Sequence, residues 1–149
     1  MRPLRLYLDN CCFNRPFDDQ SQLAIRLETE AILRILELIR DENCELIWSS
    51  VIDFENKNNP FESRREAVGG LRKKANRIVE ITNLITQTSV MLQSQGLDLV
   101  DSLHVACAID AGCKYFVTTD YKVINKPVKK IALLNPVRFI EFYEEITPK

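Results

Sequence analysis

The chain has 149 residues, 46% hydrophobic and 28% charged, which suits one globular domain with a sizeable core and excludes a disordered chain. Twenty basic and 21 acidic residues leave a formal charge of −1, which excludes a histone-like nucleic-acid binder but not an enzyme with locally segregated charge. The five cysteines form no C-x-x-C pair and are odd in number, so they support neither a disulfide framework nor a zinc site and read as reduced thiols of a cytoplasmic protein. Arg2 and Arg5 precede no apolar stretch of the signal-peptide kind, and no run reaches membrane-spanning length, so no membrane association is expected.

In chain order, Leu4 to Leu8 reads as a strand ending in Asp9-Asn10. Cys11 to Gln22 is polar and broken by Pro16, so a loop is expected there. Leu23, Leu27, Ala31, Ile35 and Leu38 carry a helical period up to about Arg40. A turn at 41–43 leads to a second strand, Cys44 to Ser49, and then to a short helix bearing Val51, Ile52, Phe54 and Glu55, capped by Ser49 or Ser50. Beyond a break at 56–60, a helical turn or two is expected over 62–67, ahead of Gly69-Gly70. A helix is expected over 71–84, and a further apolar-periodic stretch to Gln95.

The stretch Gly96 to Asp120 organises the rest. A helix opens near Asp98 and Asp101, runs through Leu103, Val105, Ala106, Ala108 and Ile109, and stops at Gly112. Tyr115-Phe116-Val117 is a third strand without polar alternation, as expected of a strand covered on both faces, and it exits into Thr118-Thr119-Asp120. A fourth strand over 131–134 follows a connection that is short for a parallel crossover, and Pro136 opens a final helix. Alternating strands and helices predict a three-layer α/β fold: a single domain, residues 1–149, with a mostly parallel sheet of four or five strands between helices.

Four acids fall at comparable places in this frame. Asp9 ends the first strand, Glu55 lies in the helix after the second, Asp101 opens the helix before the third, and Asp120 follows the third. A parallel sheet puts strand-end acids on one edge. Clustered carboxylates stay ionised only with a partner, and no lysine or arginine is fixed beside these in sequence. All-oxygen ligands favour Mg²⁺ or Mn²⁺ over zinc, and a hard cation with open positions suits phosphodiester hydrolysis. The alternative is that each acid is a surface or capping residue of an ordinary kind.

The pieces Leu6-Tyr7-Leu8-Asp9, Ser49 to Glu55, Asp101-Ser102-Leu103-His104-Val105-Ala106 and Phe116-Val117-Thr118-Thr119-Asp120 together resemble a PIN domain, the fold of VapC-like toxin ribonucleases. They spread over nearly the whole chain. The resemblance implies a parallel sheet flanked by helices and an acidic pocket for Mg²⁺ or Mn²⁺. It also implies endoribonuclease activity on RNA, with a homodimer and an antitoxin protein as partners. Carried over residue by residue, the site acids are Asp9, Glu55, Asp101 and Asp120, with Glu55 either a ligand or the group that orients water.

Around these acids, Asn10, Thr118 and Thr119 are candidates to steady Asp9, Asp120 or a bound water, and Asp98 reads as the cap of its helix or a neighbour of the site. The helix dipole is expected to favour Asp101 as an anion. His104, the only histidine, is a proton shuttle or a packed helix residue, and Asp53 reads as solvated or capping. Cys11 and Cys12 read as packing. Among the basic residues, Arg15 beside Asp9 is the first candidate for contacting RNA phosphate, ahead of the 72–77 cluster, which reads as a solvated face. Two other functions compete: a PIN-like binding module without turnover, and a receiver-like phosphoryl-transfer domain, which needs a second acid beside Asp9 or a fixed lysine such as Lys122 or Lys126 facing it.

Overall fold

The structure, a computed structural model, describes residues 3–147, so Arg2 and the outermost residues of the expected domain lie outside the described residues. Five strands, β1 (Leu4–Leu8), β2 (Cys44–Ser49), β3 (Arg77–Val79), β4 (Tyr115–Val117) and β5 (Ala132–Leu134), form one sheet in the order β3-β2-β1-β4-β5. Every pairing is parallel, including β4 with β5, where Phe116 faces Leu133. The central position of β1 explains its composition. Leu6, Tyr7 and Leu8 are fully buried, because neighbours on both edges and helices on both faces leave no side of the strand to water.

The helices are α1 (Asn10–Asn14), α2 (Leu23–Arg40), α3 (Ser50–Lys57), α4 (Glu62–Arg72), α5 (Asn83–Ser94), α6 (Leu99–Asp110), α7 (Tyr121–Ile124) and α8 (Pro136–Ile146). α2 packs on α8, and α5 on α6. The sheet grows outward from β1 through β2 to β3 and then jumps back to the other side of β1. Right-handed crossovers in opposite directions put helices on both faces. The jump also creates a topological switch point between β1 and β4, where a crevice opens outside the carboxyl ends of the strands.

The structure corrects four local expectations. The segment after Asp9 is not loop throughout: Asp9 caps α1, its carboxylate accepting the Asn10 N–H at 2.8 Å. The helix expected over 71–84 is divided. Asn76 exchanges two hydrogen bonds of 2.8 Å with the Leu46 backbone and docks the β-branched pair Ile78-Val79 on β2 as β3, while Thr82 caps a separate α5. α4 runs through Gly69 and Gly70 to Arg72 instead of stopping before them. The last crossover closes because it spans all of residues 118–131, with α7 inside it. The order differs from the 2-1-3-4-5 order of receiver-like sheets, which removes that reading.

Candidate metal centre

The carboxyl edge at the switch point receives acids from separate segments. Asp9 follows directly on β1 and is buried. Its Oδ1 takes the Asn10 N–H, and its Oδ2 accepts a 2.8 Å hydrogen bond from the Thr118 hydroxyl at the end of β4. Thr118 Oγ1 in turn accepts the Asp120 N–H at 3.1 Å, so one threonine couples the two strand-end acids. Asp120 caps α7, accepting the Lys122 N–H at 2.9 Å. Thr119 reaches Cys11 through its backbone N–H, 3.4 Å from Sγ, and Cys12 Sγ lies 3.3 Å from the Val117 carbonyl, so both cysteines pack against the end of β4.

α6 runs antiparallel to the strands, which brings its first turn to the same edge. Asp98 is its N-cap, accepting the Asp101 N–H at 3.0 Å. Asp98, Asp101 and Asp120 line a cavity of about 350 Å³ together with Lys122 and Lys126. Lys122, on α7, and Lys126, just beyond it, bring positive charge to the cavity wall. Among the described residues, however, no lysine or arginine forms an ion pair with Asp9, Glu55, Asp98, Asp101 or Asp120.

Proton affinities reflect that imbalance. Burial, then the charges of Asp9, Asp98 and Asp120, push Asp101 up to about 7, against the helix dipole that favours its anion. Burial raises Asp9 as well, against the opposing influence of His104 and the Thr118 hydrogen bond.

His104 stands against two of these acids. Burial alone would lower its pKa, but the hydrogen bond to Glu55 and the charges of Asp9, Glu55 and Asp101 outweigh that and raise it. Its Nε2 is bonded to Glu55 Oε1 and lies 3.8 Å from Asp9 Oδ1, and its Nδ1 lies 2.5 Å from the Tyr7 hydroxyl. Asp9, Glu55 and His104 each present a ligand atom within 4.8 Å of the others. From sequence His104 reads as a proton shuttle or a packed helix residue, and it is indeed packed, fully buried against these acids. Three residues after Asp101, it lies one turn along the same helix face.

The four acids therefore do not form one ring. Asp9 and Glu55 meet at His104, while Asp101 and Asp120 line the adjoining cavity, coupled to Asp9 through charge and through Thr118. The donor set fits a hard divalent cation: carboxylate oxygens with no lysine or arginine paired to them among the described residues, His104 being the one base against Asp9 and Glu55, beside a buried Asn10 Oδ1 that has no hydrogen-bond partner.

Two other expectations change. Arg15 is not free for phosphate: Nη1 binds Asp18 at 3.0 Å, and Nε lies 3.2 Å from the buried Glu28, without hydrogen-bond alignment. Asp53 caps no helix: partly exposed, it accepts from Trp48 Nε1 at 2.8 Å and pairs with Arg72 at 2.9 Å.

No protein-family model and no curated protein matches the sequence. Solved structures do match. One chain in the structure of VapBC2 from Rickettsia felis bound to a DNA fragment from their promoter superposes with a TM-score of 0.60 at 16% identity, covering 89% of this chain and 98% of that one. A chain of a toxin–antitoxin complex from Klebsiella pneumoniae gives a TM-score of 0.64 at 16% identity, covering 88% and 97%. The chain has a VapC-like PIN fold. At this identity the likeness concerns the fold alone, and the PIN-like architecture expected from the sequence is the one observed. No helix among the described residues is long and apolar enough to cross a membrane.

Proposed function

We propose that the chain is a metal-dependent endoribonuclease acting in the cytoplasm as the toxin of a toxin–antitoxin pair, with Asp9, Glu55, Asp101 and Asp120 as its working acids. The observation that carries this reading is the convergence of acids from four segments on the switch-point edge with no lysine or arginine among the described residues paired to them. Mg²⁺ or Mn²⁺ bound there would activate water and stabilise charge on a phosphoryl oxygen. The protein's own groups hold the arrangement. Thr118 fixes Asp9 through Oδ2 and the Asp120 backbone through its Oγ1, Asp98 fixes the first turn of α6, and His104 holds Glu55. Asp101, titrating near neutral pH in the metal-free chain, can take or release a proton at its carboxylate under physiological conditions.

The toxin role, with an antitoxin protein and a second copy of the chain as partners, draws on the fold shared with chains of toxin–antitoxin structures. Exposed Leu23, Leu27 and Leu33 on α2, and Phe54 and Phe61 around α3, supply apolar surface for such partners.

A PIN-like binding module without turnover is the second reading. It is favoured by the direct bond between His104 and Glu55, which occupies a working acid. A ribonuclease assay on mixed RNAs with Mg²⁺, Mn²⁺ or EDTA separates the two, run beside Asp9→Asn and Asp101→Asn. The proposal expects cleavage that EDTA and both substitutions abolish. Cleavage indifferent to all three overturns the metal site, and absence of any cleavage, with a tight protein partner recovered, selects the binding module.

A further inference from the structure

We propose that His104 is a nitrogen ligand of the cation at this site, oriented for that role by Tyr7, and that it tilts the site toward Mn²⁺ over Mg²⁺. The inference rests on the metal-site reading above and extends it beyond the four carboxylates.

Three observations support it. First, His104 Nε2 faces two carboxylates at once, touching Glu55 Oε1 and lying 3.8 Å from Asp9 Oδ1. Ligand atoms sit about 2.0–2.6 Å from such ions, so two of them around one ion lie no more than roughly 5 Å apart. The three atoms here are within 4.8 Å of one another. Glu55 is only partly buried on α3.

Second, the opposite ring nitrogen is already committed. Nδ1 lies 2.5 Å from the Tyr7 hydroxyl, which lies 2.6 Å from Ser49 Oγ. With the proton on Nδ1, the imidazole donates to Tyr7 and Tyr7 donates to Ser49. In the metal-free chain Nε2 shares a proton with Glu55; a cation that displaces that proton would meet the Nε2 lone pair between Asp9 and Glu55. Metal-binding histidines typically have their second nitrogen held in this way, which fixes both tautomer and ring orientation.

Third, His104 and Tyr7 are fully buried, and their rings meet edge to face with centroids 5.6 Å apart. The imidazole therefore cannot turn away to solvent. The rival arrangement puts the proton on Nε2 and makes His104 only a donor that positions Glu55. The two differ in whether nitrogen enters the coordination sphere. Mg²⁺ takes oxygen almost exclusively, whereas imidazole suits later divalent ions, so a nitrogen ligand favours Mn²⁺.

The chain contains one histidine, so in a tag-free protein any imidazole coupling to bound Mn²⁺ belongs to His104. Pulsed EPR on the Mn²⁺-loaded full chain should show modulation from a directly coordinated ¹⁴N. His104→Gln should remove that modulation and lower the Mn²⁺-over-Mg²⁺ affinity ratio about tenfold. If His104→Gln fails to fold, the wild-type spectrum decides alone. Mn²⁺ bound without nitrogen coupling overturns the assignment of His104 and leaves the carboxylate site standing. Failure to bind Mn²⁺ at millimolar concentration overturns both.

Discussion

The two ends of β1 are built on opposite principles. At its amino end, Arg5 pairs with Glu45 at 3.1 Å and donates to the Ala111 carbonyl at 2.8 Å, so charge is balanced and the C-terminus of α6 is satisfied by one side chain. At its carboxyl end, Asp9 is buried, Asp101 is driven up to about 7, and neither has an ion-pair partner among the described lysines and arginines. A fold that needed only stability would treat both ends alike. The imbalance at one end is what a cation-binding edge looks like before its cation is counted.

The largest effect is expected from breaking the unbalanced end. Asp9→Asn should reduce RNA cleavage by at least about 100-fold, more than losing a supporting residue costs, while circular dichroism remains native. Next comes pH. The folded-state pKa of Asp101, and those of Asp9 and His104, lie above their unfolded values. The stability these groups contribute is therefore full below about pH 4 for the acids and is lost as pH rises through the folded values. In the metal-free chain the melting temperature should fall between pH 5 and pH 8. Asp101→Asn should raise it at pH 8 by about 3 °C, a modest figure because half-exposed charge is screened. Mn²⁺ at a hundredfold its dissociation constant should restore about 2.7 kcal/mol at pH 8. Melts that are flat with pH and metal would erase the difference between the two ends.

Tyr7→Phe sharpens the comparison from within the core. It removes the hydroxyl between His104 and Ser49, and metal affinity measured by calorimetry should drop about tenfold. Arg15→Ala should cost about 2 kcal/mol in urea unfolding, because Glu28 and Asp18 lose a partner, and should leave the KM for RNA within about twofold. Arg5→Ala, at the balanced end, should cost no more than about 1 kcal/mol and leave cleavage unchanged.

The fold was largely legible in the sequence because β1, β2 and β4 are apolar runs ended by recognisable caps and stops. β3 was not, since the helix expected over 71–84 takes in Arg77-Ile78-Val79, and the pairing of this strand with Ile47 to Ser49, begun by Asn76 on Leu46, is remote in sequence. Within the site, Asp9 and Asp120 could be placed together from strand ends alone. Their shared link through Thr118 depends on β1 and β4 being neighbours, which no local pattern encodes. The involvement of His104 depends likewise on Tyr7 beneath it and Glu55 across from it, both remote in sequence. Arg15 misled for the reverse reason: proximity to Asp9 in the chain does not outweigh a buried glutamate within reach.

The most direct test is the cleavage rate of a defined RNA as free Mn²⁺ is titrated, for the wild-type chain and for Asp9→Asn at matched folded concentration. A saturable rise from no detectable cleavage in EDTA is expected for the wild type, and a nearly flat line for the variant. Equal rates in the two proteins, or wild-type cleavage that persists without metal, would contradict a metal-dependent site.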